Sequence, residues 1–92
     1  RPTPNDLAAV AKANKGLSVI AEVQEAYKAK NGTYATSIEQ LAEASGDPAE
    51  FRTAMDALFM PEAFKMDAGN RGWRIRALAR DRRRTPVVRD GP

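Results

Sequence analysis

The sequence contains neither histidine nor cysteine. Those two absences exclude the Ser/His/Asp and Cys/His nucleophile systems, zinc sites built on thiolate or imidazole, and any disulfide framework. Bulky apolar side chains are scarce as well: of the 39 hydrophobic residues 17 are Ala, which leaves 22 larger ones. A core drawn from so few is thin, and one long helix can dominate it. No apolar run exceeds the five residues Leu7 to Ala11, far short of the roughly 20 that span a bilayer. The chain starts with Arg1 rather than Met, so an upstream segment, a signal or a membrane anchor, is expected to have been removed. The lack of Cys leaves the compartment open, because an exported protein can do without disulfides.

What is present is 92 residues with a net charge of +3, enough for one small domain. The charge is unevenly placed. Residues 1 to 70 carry 7 basic and 10 acidic side chains, and residues 71 to 92 carry 8 and 2. All the positive excess therefore sits in the C-terminal stretch.

Between Asp6 and Lys30 there is no Pro and an abundance of Ala, Lys, Glu and Gln. With Asn5 as N-cap and Asn31-Gly32 as stop signal, this predicts a helix over 6–30. At about 1.5 Å per residue it extends roughly 37 Å, longer than a compact domain of this size accommodates, so part of it is expected to protrude. Two apolar stripes run along it. Gly16, Ile20, Val23 and Tyr27 suit a head packed on the C-terminal half, while Leu7, Val10, Asn14, Leu17 and Ala21 lie about 110° away. Either a layered fold buries both stripes, or the second meets other subunits.

Ser37 predicts a second helix with Gln40 at the capping-box position and Ile38 and Leu41 as its apolar contacts. Asp47-Pro48-Ala49-Glu50 predicts a third, with Phe51, Met55, Leu58 and Phe59 on one face, ending at Met60 before Pro61. The two short helices fall within 37–60. Beyond Pro61 the period shifts to two: Phe64 and Met66 alternate with Lys65, Ala68-Gly-Asn-Arg-Gly72 is turn chemistry, and Trp73, Ile75, Ala77 and Ala79 alternate with Arg74, Arg76, Leu78 and Arg80. Thr85 to Arg89 adds an edge strand, where Pro86 is tolerated. An antiparallel sheet over 63–89 follows, with Arg82-Arg83-Arg84 as a solvated connection. The fold class is α+β: a long N-terminal helix packed against a small antiparallel sheet, two short helices between, one domain over 1–92.

Ala21-Glu-Val-Gln-Glu-Ala-Tyr27, followed by Lys30-Asn-Gly-Thr-Tyr34-Ala-Thr-Ser37 and Leu41, resembles the passage from long helix into loop in type IV pilins and the related pseudopilins. Trp73-Arg-Ile-Arg-Ala-Leu-Ala-Arg80 is similar to the strand that follows in such subunits. The motif part covers about 21 residues, and the element order extends the match along nearly the whole chain. The resemblance implies a filament subunit without catalysis, exported, anchored in the inner membrane before assembly and then periplasmic or extracellular. Its partners are further copies or other pilin subunits, and the membrane enters only through an N-terminal segment not in this chain or through a separate hydrophobic anchor chain. By the same analogy Gly16, Ile20, Val23 and Tyr27 face the head, Leu7, Val10, Asn14 and Leu17 form the helix interface between subunits, and Gln24 and Tyr34 fall at the helix-to-loop transition. The C-terminal disulfide loop of many pilins has no counterpart here.

Glu22 and Glu25, with Lys28 beside them, read as a solvated and salt-bridged helix face rather than an acid/base pair. No cofactor is expected. Asp67, Asn70 and Asp90 are oxygen ligands of the kind Ca²⁺ takes, without EF-hand spacing. Arg71, Arg74, Arg76, Arg80, Arg82, Arg83, Arg84 and Arg89 predict a basic face on one side of the sheet. Four uses compete: contact with Glu39, Glu43, Asp47, Glu50 and Asp56 of a neighbouring subunit, solubility of an exposed sheet, contact with anionic lipid, or a nucleic-acid surface at Arg74, Arg76, Arg80, Arg82, Arg83 and Arg84. The last would make the chain a small nucleic-acid-binding module, a reading weakened by Trp73, the one aromatic there, which alternation turns inward.

Overall fold

The structure, a computed structural model, describes residues 3–69 and 71–91. It is α+β, in the order α1 (Pro4–Asn31), α2 (Ile38–Ala44), α3 (Pro48–Leu58), a 3₁₀ turn over Pro61–Ala63, then strands β1 (Lys65–Ala68), β2 (Trp73–Leu78) and β3 (Pro86–Gly91). The sheet is antiparallel, with β2 between β1 and β3. The molecule measures 44 × 26 × 20 Å. At about 1.5 Å per residue the 28 residues of α1 account for that length.

α1 starts two residues earlier than the sequence predicts, because Thr3 and not Asn5 is the N-cap. Its hydroxyl accepts from the Asp6 N–H at 3.1 Å, while the Asp6 carboxylate accepts from the Thr3 N–H at 3.1 Å, a closed capping box with Pro4 at the first helical position. At the other end Gly32 adopts φ 81°, and its N–H donates to the Lys28 carbonyl at 2.8 Å.

The covered face of α1 differs from expectation in an informative way. Asp6, Ala13, Gly16, Leu17, Ile20 and Gln24 are buried, a row that lies between the two expected stripes. α3 packs on one shoulder, where Leu58 and Phe59 approach Gly16. β3 packs on the other, where Arg89 reaches Ser18. The two stripes are thus the shoulders of one wide face, and Leu17, 1% exposed, belongs to the molecule's own core. Nor does the N-terminal half of α1 stand clear of the head, since Asp6 is bonded to the backbone of Arg82.

The predicted caps of the short helices are in place. Ser37 accepts from the Gln40 N–H, and Asp47 accepts from the Glu50 N–H. The Gln40 side chain, however, reaches Thr36 at 2.7 Å rather than Ser37. α3 ends at Leu58, two residues early, because Phe59 turns extended and bridges Ala79. That turn drives Phe59 into the core, 1% exposed, with its ring 5.8 Å from that of Phe64.

Alternation holds through β2: Trp73, Ile75 and Ala77, with Ala79 beyond it, are buried, and Arg74, Arg76 and Arg80 are exposed. Trp73 lies opposite Gly91, where a Cβ would fall inside the indole. β3 runs two residues past the predicted end, with Pro86 at the start of an edge strand, the position that needs no ladder N–H.

Candidate interaction surfaces

The arginines do not share one face. Antiparallel register sets Arg74 beside Asp67 on β1 and Asp90 on β3, all pointing away from α1. Arg74 Nε donates to Asp90 Oδ1 at 2.6 Å and a second nitrogen to Oδ2 at 3.2 Å, a bidentate pair that lowers the Asp90 carboxyl and raises the Arg74 guanidinium. This geometry also bears on calcium. The guanidinium of Arg74 stands between Asp67 and Asp90, where a cation ligated by both would sit, and Asn70 lies outside the described residues. No cluster of three acidic side chains able to hold a metal occurs among the described residues.

Arg80 turns to α3. Its Nε donates to the Asp56 carbonyl at 2.6 Å, and its guanidinium lies 3.6 Å from the Met60 sulfur. A cation on a last-turn carbonyl complements the negative end of the helix. Arg89, counted with the basic face in the sequence, projects from β3 on the side of α1, with its guanidinium 3.2 Å from Ser18 Oγ. The outer sheet surface that remains carries Lys65, Arg74 and Arg76 against Asp67 and Asp90, with Val88 52% exposed beside Arg76. Its net charge is 3 − 2 = +1, so the expected strongly basic sheet is corrected to a nearly balanced one.

The positive charge concentrates in the β2–β3 connection. Asp81, 8% exposed, organises this loop: its carboxylate accepts from the Thr85 N–H at 2.7 Å and from the Thr85 hydroxyl, and its carbonyl accepts from the Arg84 N–H at 3.1 Å. Arg84 takes φ 50° to close the turn. The Thr85 bonds hold the Asp81 carboxyl below its ordinary range. At the next residue the Arg82 N–H donates to Asp6 Oδ1 at 3.0 Å, and Arg82 Nε lies 3.5 Å from Asp6 Oδ2. That backbone bond, with those from Thr3, lowers the Asp6 carboxyl from 3.8 to about 2. The loop is thereby fastened to the first turn of α1, and it presents the side chains of Arg83 and Arg84 to solvent, their guanidinium groups without a partner among the described residues. The Arg76 guanidinium likewise has none.

The acidic residues lie elsewhere. Glu39, Glu43, Asp47, Glu50 and Asp56 are exposed on and around α2 and α3, with Glu39 3.4 Å from Arg52. Glu43 borders a cleft shared with Lys30 and Asn31, at the C-terminal end of α1. The basic loop and Glu43 therefore mark opposite ends of the long helix.

Of the four residues predicted as the helix interface, Leu7 is 59% exposed, Asn14 is exposed and Val10 is half-buried, whereas Leu17 is sealed inside. The correction for Leu17 follows from Phe59 and the sheet, which need a large aliphatic partner under the middle of α1. Glu22 and Glu25 are exposed, and Lys28 lies over the Tyr34 ring, 4.8 Å from its centroid. A cavity of about 260 Å³ is lined by the apolar Ile38, Met55, Phe59 and Phe64 together with Arg52 and Asp56.

Sequence reasoning missed Asp6 and Asp81 as the residues that place the arginine loop. One signal was readable: Thr3-Pro4-Asn5-Asp6 is itself a capping-box pattern. No family model matches this chain, and no curated protein or solved structure matches it either. No helix among the described residues is long and apolar enough to cross a membrane.

Proposed function

We propose that this chain is the head and supporting helix of a filament subunit of the type IV pilin and pseudopilin kind, working by polymerisation and not by catalysis. The observation that carries the reading is α1: 28 residues running the length of the molecule, covered along one wide face by α2, α3 and β3 and exposed along the opposite one. A rod dressed on one side only is suited to repeated contact with others of its kind. The exposed Leu7 and Asn14 and the half-buried Val10 border the first half of that rod.

The charge layout supports the same reading. Arg83 and Arg84 stand at the N-terminal end of α1 and Glu43, beside Lys30, at the other, so copies stacked head to tail set arginine toward Glu43. Export, membrane anchoring before assembly through a segment or chain outside these residues, and partnership with other pilin subunits belong to this proposal. Deleting the gene in the source cells is expected to abolish a surface or periplasmic filament, and a plasmid copy to restore it. Filaments unchanged by the deletion would contradict the reading.

A second reading, a nucleic-acid-binding module, is favoured by Arg76, Arg83 and Arg84, whose guanidinium groups have no partner among the described residues. Against it, Arg74, Arg80 and Arg82 are engaged within the chain, and Trp73 is 5% exposed and closed to base stacking. Gel retardation of duplex DNA at moderate salt, abolished by Arg83→Glu with Arg84→Glu, would favour this alternative.

A further inference from the structure

We propose that the solvent-facing back of α1 pairs antiparallel with the same face of a second copy of this chain. The pairing rests on the fold alone and not on the filament reading. Opposite the buried row of Ala13, Leu17, Ile20 and Gln24, exposed residues recur at steps of three and four, the spacing of one narrow helix stripe. At its middle are Lys15, Val19 and Glu22, with Val19 49% exposed. Neither Lys15 nor Glu22 has an ion-pair or hydrogen-bond partner among the described residues. They stand about 10 Å apart along their own helix, too far to pair with each other.

Between two copies they fit. Running one helix antiparallel to the other about a point beside Val19 sets Lys15 against the second copy's Glu22, and Glu22 against its Lys15, while the two Val19 side chains meet near the two-fold axis. The same centre relates Ala8 to Ala29 and Ala11 to Ala26, all exposed, so small side chains fall opposite small ones and the helices can approach closely. Parallel pairing in register would set lysine on lysine and glutamate on glutamate. The charges therefore select the antiparallel arrangement by repelling the other. Such a contact is isologous and closes at two copies. Because an antiparallel pair has no overall polarity, it holds subunits apart from any polar assembly.

The test is sedimentation equilibrium of the 92-residue chain up to millimolar concentration, together with oxidation of a Val19→Cys variant. The mass is expected to rise with concentration from 10.0 kDa toward twice that value, and Val19→Cys to give a covalent dimer and nothing larger. Lys15→Glu or Glu22→Lys alone is expected to weaken the dimer about tenfold or more. The double variant, or an equimolar mixture of the two single variants, restores it. Because every altered side chain is exposed, circular dichroism should show each variant folded. A chain that stays at 10.0 kDa throughout, dimers indifferent to the single reversals, or a ladder of higher oligomers from Val19→Cys would each overturn the pairing. None of these results bears on whether the deletion described above removes a filament.

Discussion

Gln24 and Ala35 clasp each other through two hydrogen bonds, the Ala35 N–H donating to Gln24 Oε1 at 2.8 Å and Gln24 Nε2 donating to the Ala35 carbonyl at 3.0 Å. Both residues are fully buried. A side-chain amide here does what a neighbouring strand would do, and it fixes how the chain leaves α1 past Gly32 and returns to start α2.

Replacing Gln24 by Leu keeps the volume but leaves a buried N–H and a buried carbonyl without partners. The expected cost is about 2–4 kcal/mol, read as a drop in the urea midpoint with unchanged slope. Gln24→Glu retains the acceptor and loses the donor, and it is expected to fall lower still at neutral pH, because a buried carboxylate faces the Ala35 carbonyl. Equal stability of Gln24→Leu and the parent chain would show that the clasp contributes nothing.

At Gly16 α1 lies close against the C-terminal end of α3. A Cβ there meets Leu58 Cδ1 at 2.6 Å and Phe59 Cζ at 3.4 Å. Gly16→Ala is expected to be nearly neutral, since Leu58 is half-buried and its end can swing while the helix gains propensity. Gly16→Leu overpacks the seam and is expected to cost about 1–3 kcal/mol in thermal or urea unfolding.

Acid should weaken the fastening of the arginine loop. Asp6 is lowered from 3.8 to about 2 by bonds that exist only in the folded chain, and Asp81 is lowered by Thr85. A carboxyl with a depressed folded value stabilises the fold fully above its unfolded value and loses that contribution as pH falls through the folded one. Stability is therefore expected to decline between pH 3.8 and about 2. Asp6→Asn should start lower at neutral pH and show a flatter decline over the same window. Parallel curves of Tm against pH for the two proteins would contradict this.

Calcium is expected to leave the Tm unchanged at millimolar concentration, because the Arg74 guanidinium holds Asp90 and stands beside Asp67. A calcium-dependent rise of several degrees would place a site where the ion pair now is.

Much of the fold is written in local signals, and those signals succeeded where the physics is local. The caps at Ser37, Asp47 and Gly32 each depend on residues within a turn of them, and the alternation from Trp73 to Ala79 needs only a strand with one dry face. One miss was local, since Thr3 and not Asn5 caps α1; the consequential ones are non-local. The stripe containing Leu17 leaves open whether it is covered, because a stripe on a helix does not say how wide a face the rest of the chain will cover, and the resemblance that placed Leu17 between subunits is corrected by its burial. Arg74, Arg80 and Arg82 looked alike in sequence, yet Asp90, the Asp56 carbonyl and Asp6 take them in three different directions. Only the register of the sheet and the docking of the β2–β3 loop on α1 decide which arginines remain free.

The filament account is tested most directly by immunogold electron microscopy of the source cells, using antibody raised against the folded chain. Gold repeating along filaments, lost when the gene is deleted, is the predicted result. Label confined to the cell interior, on cells whose filaments carry none, would contradict it.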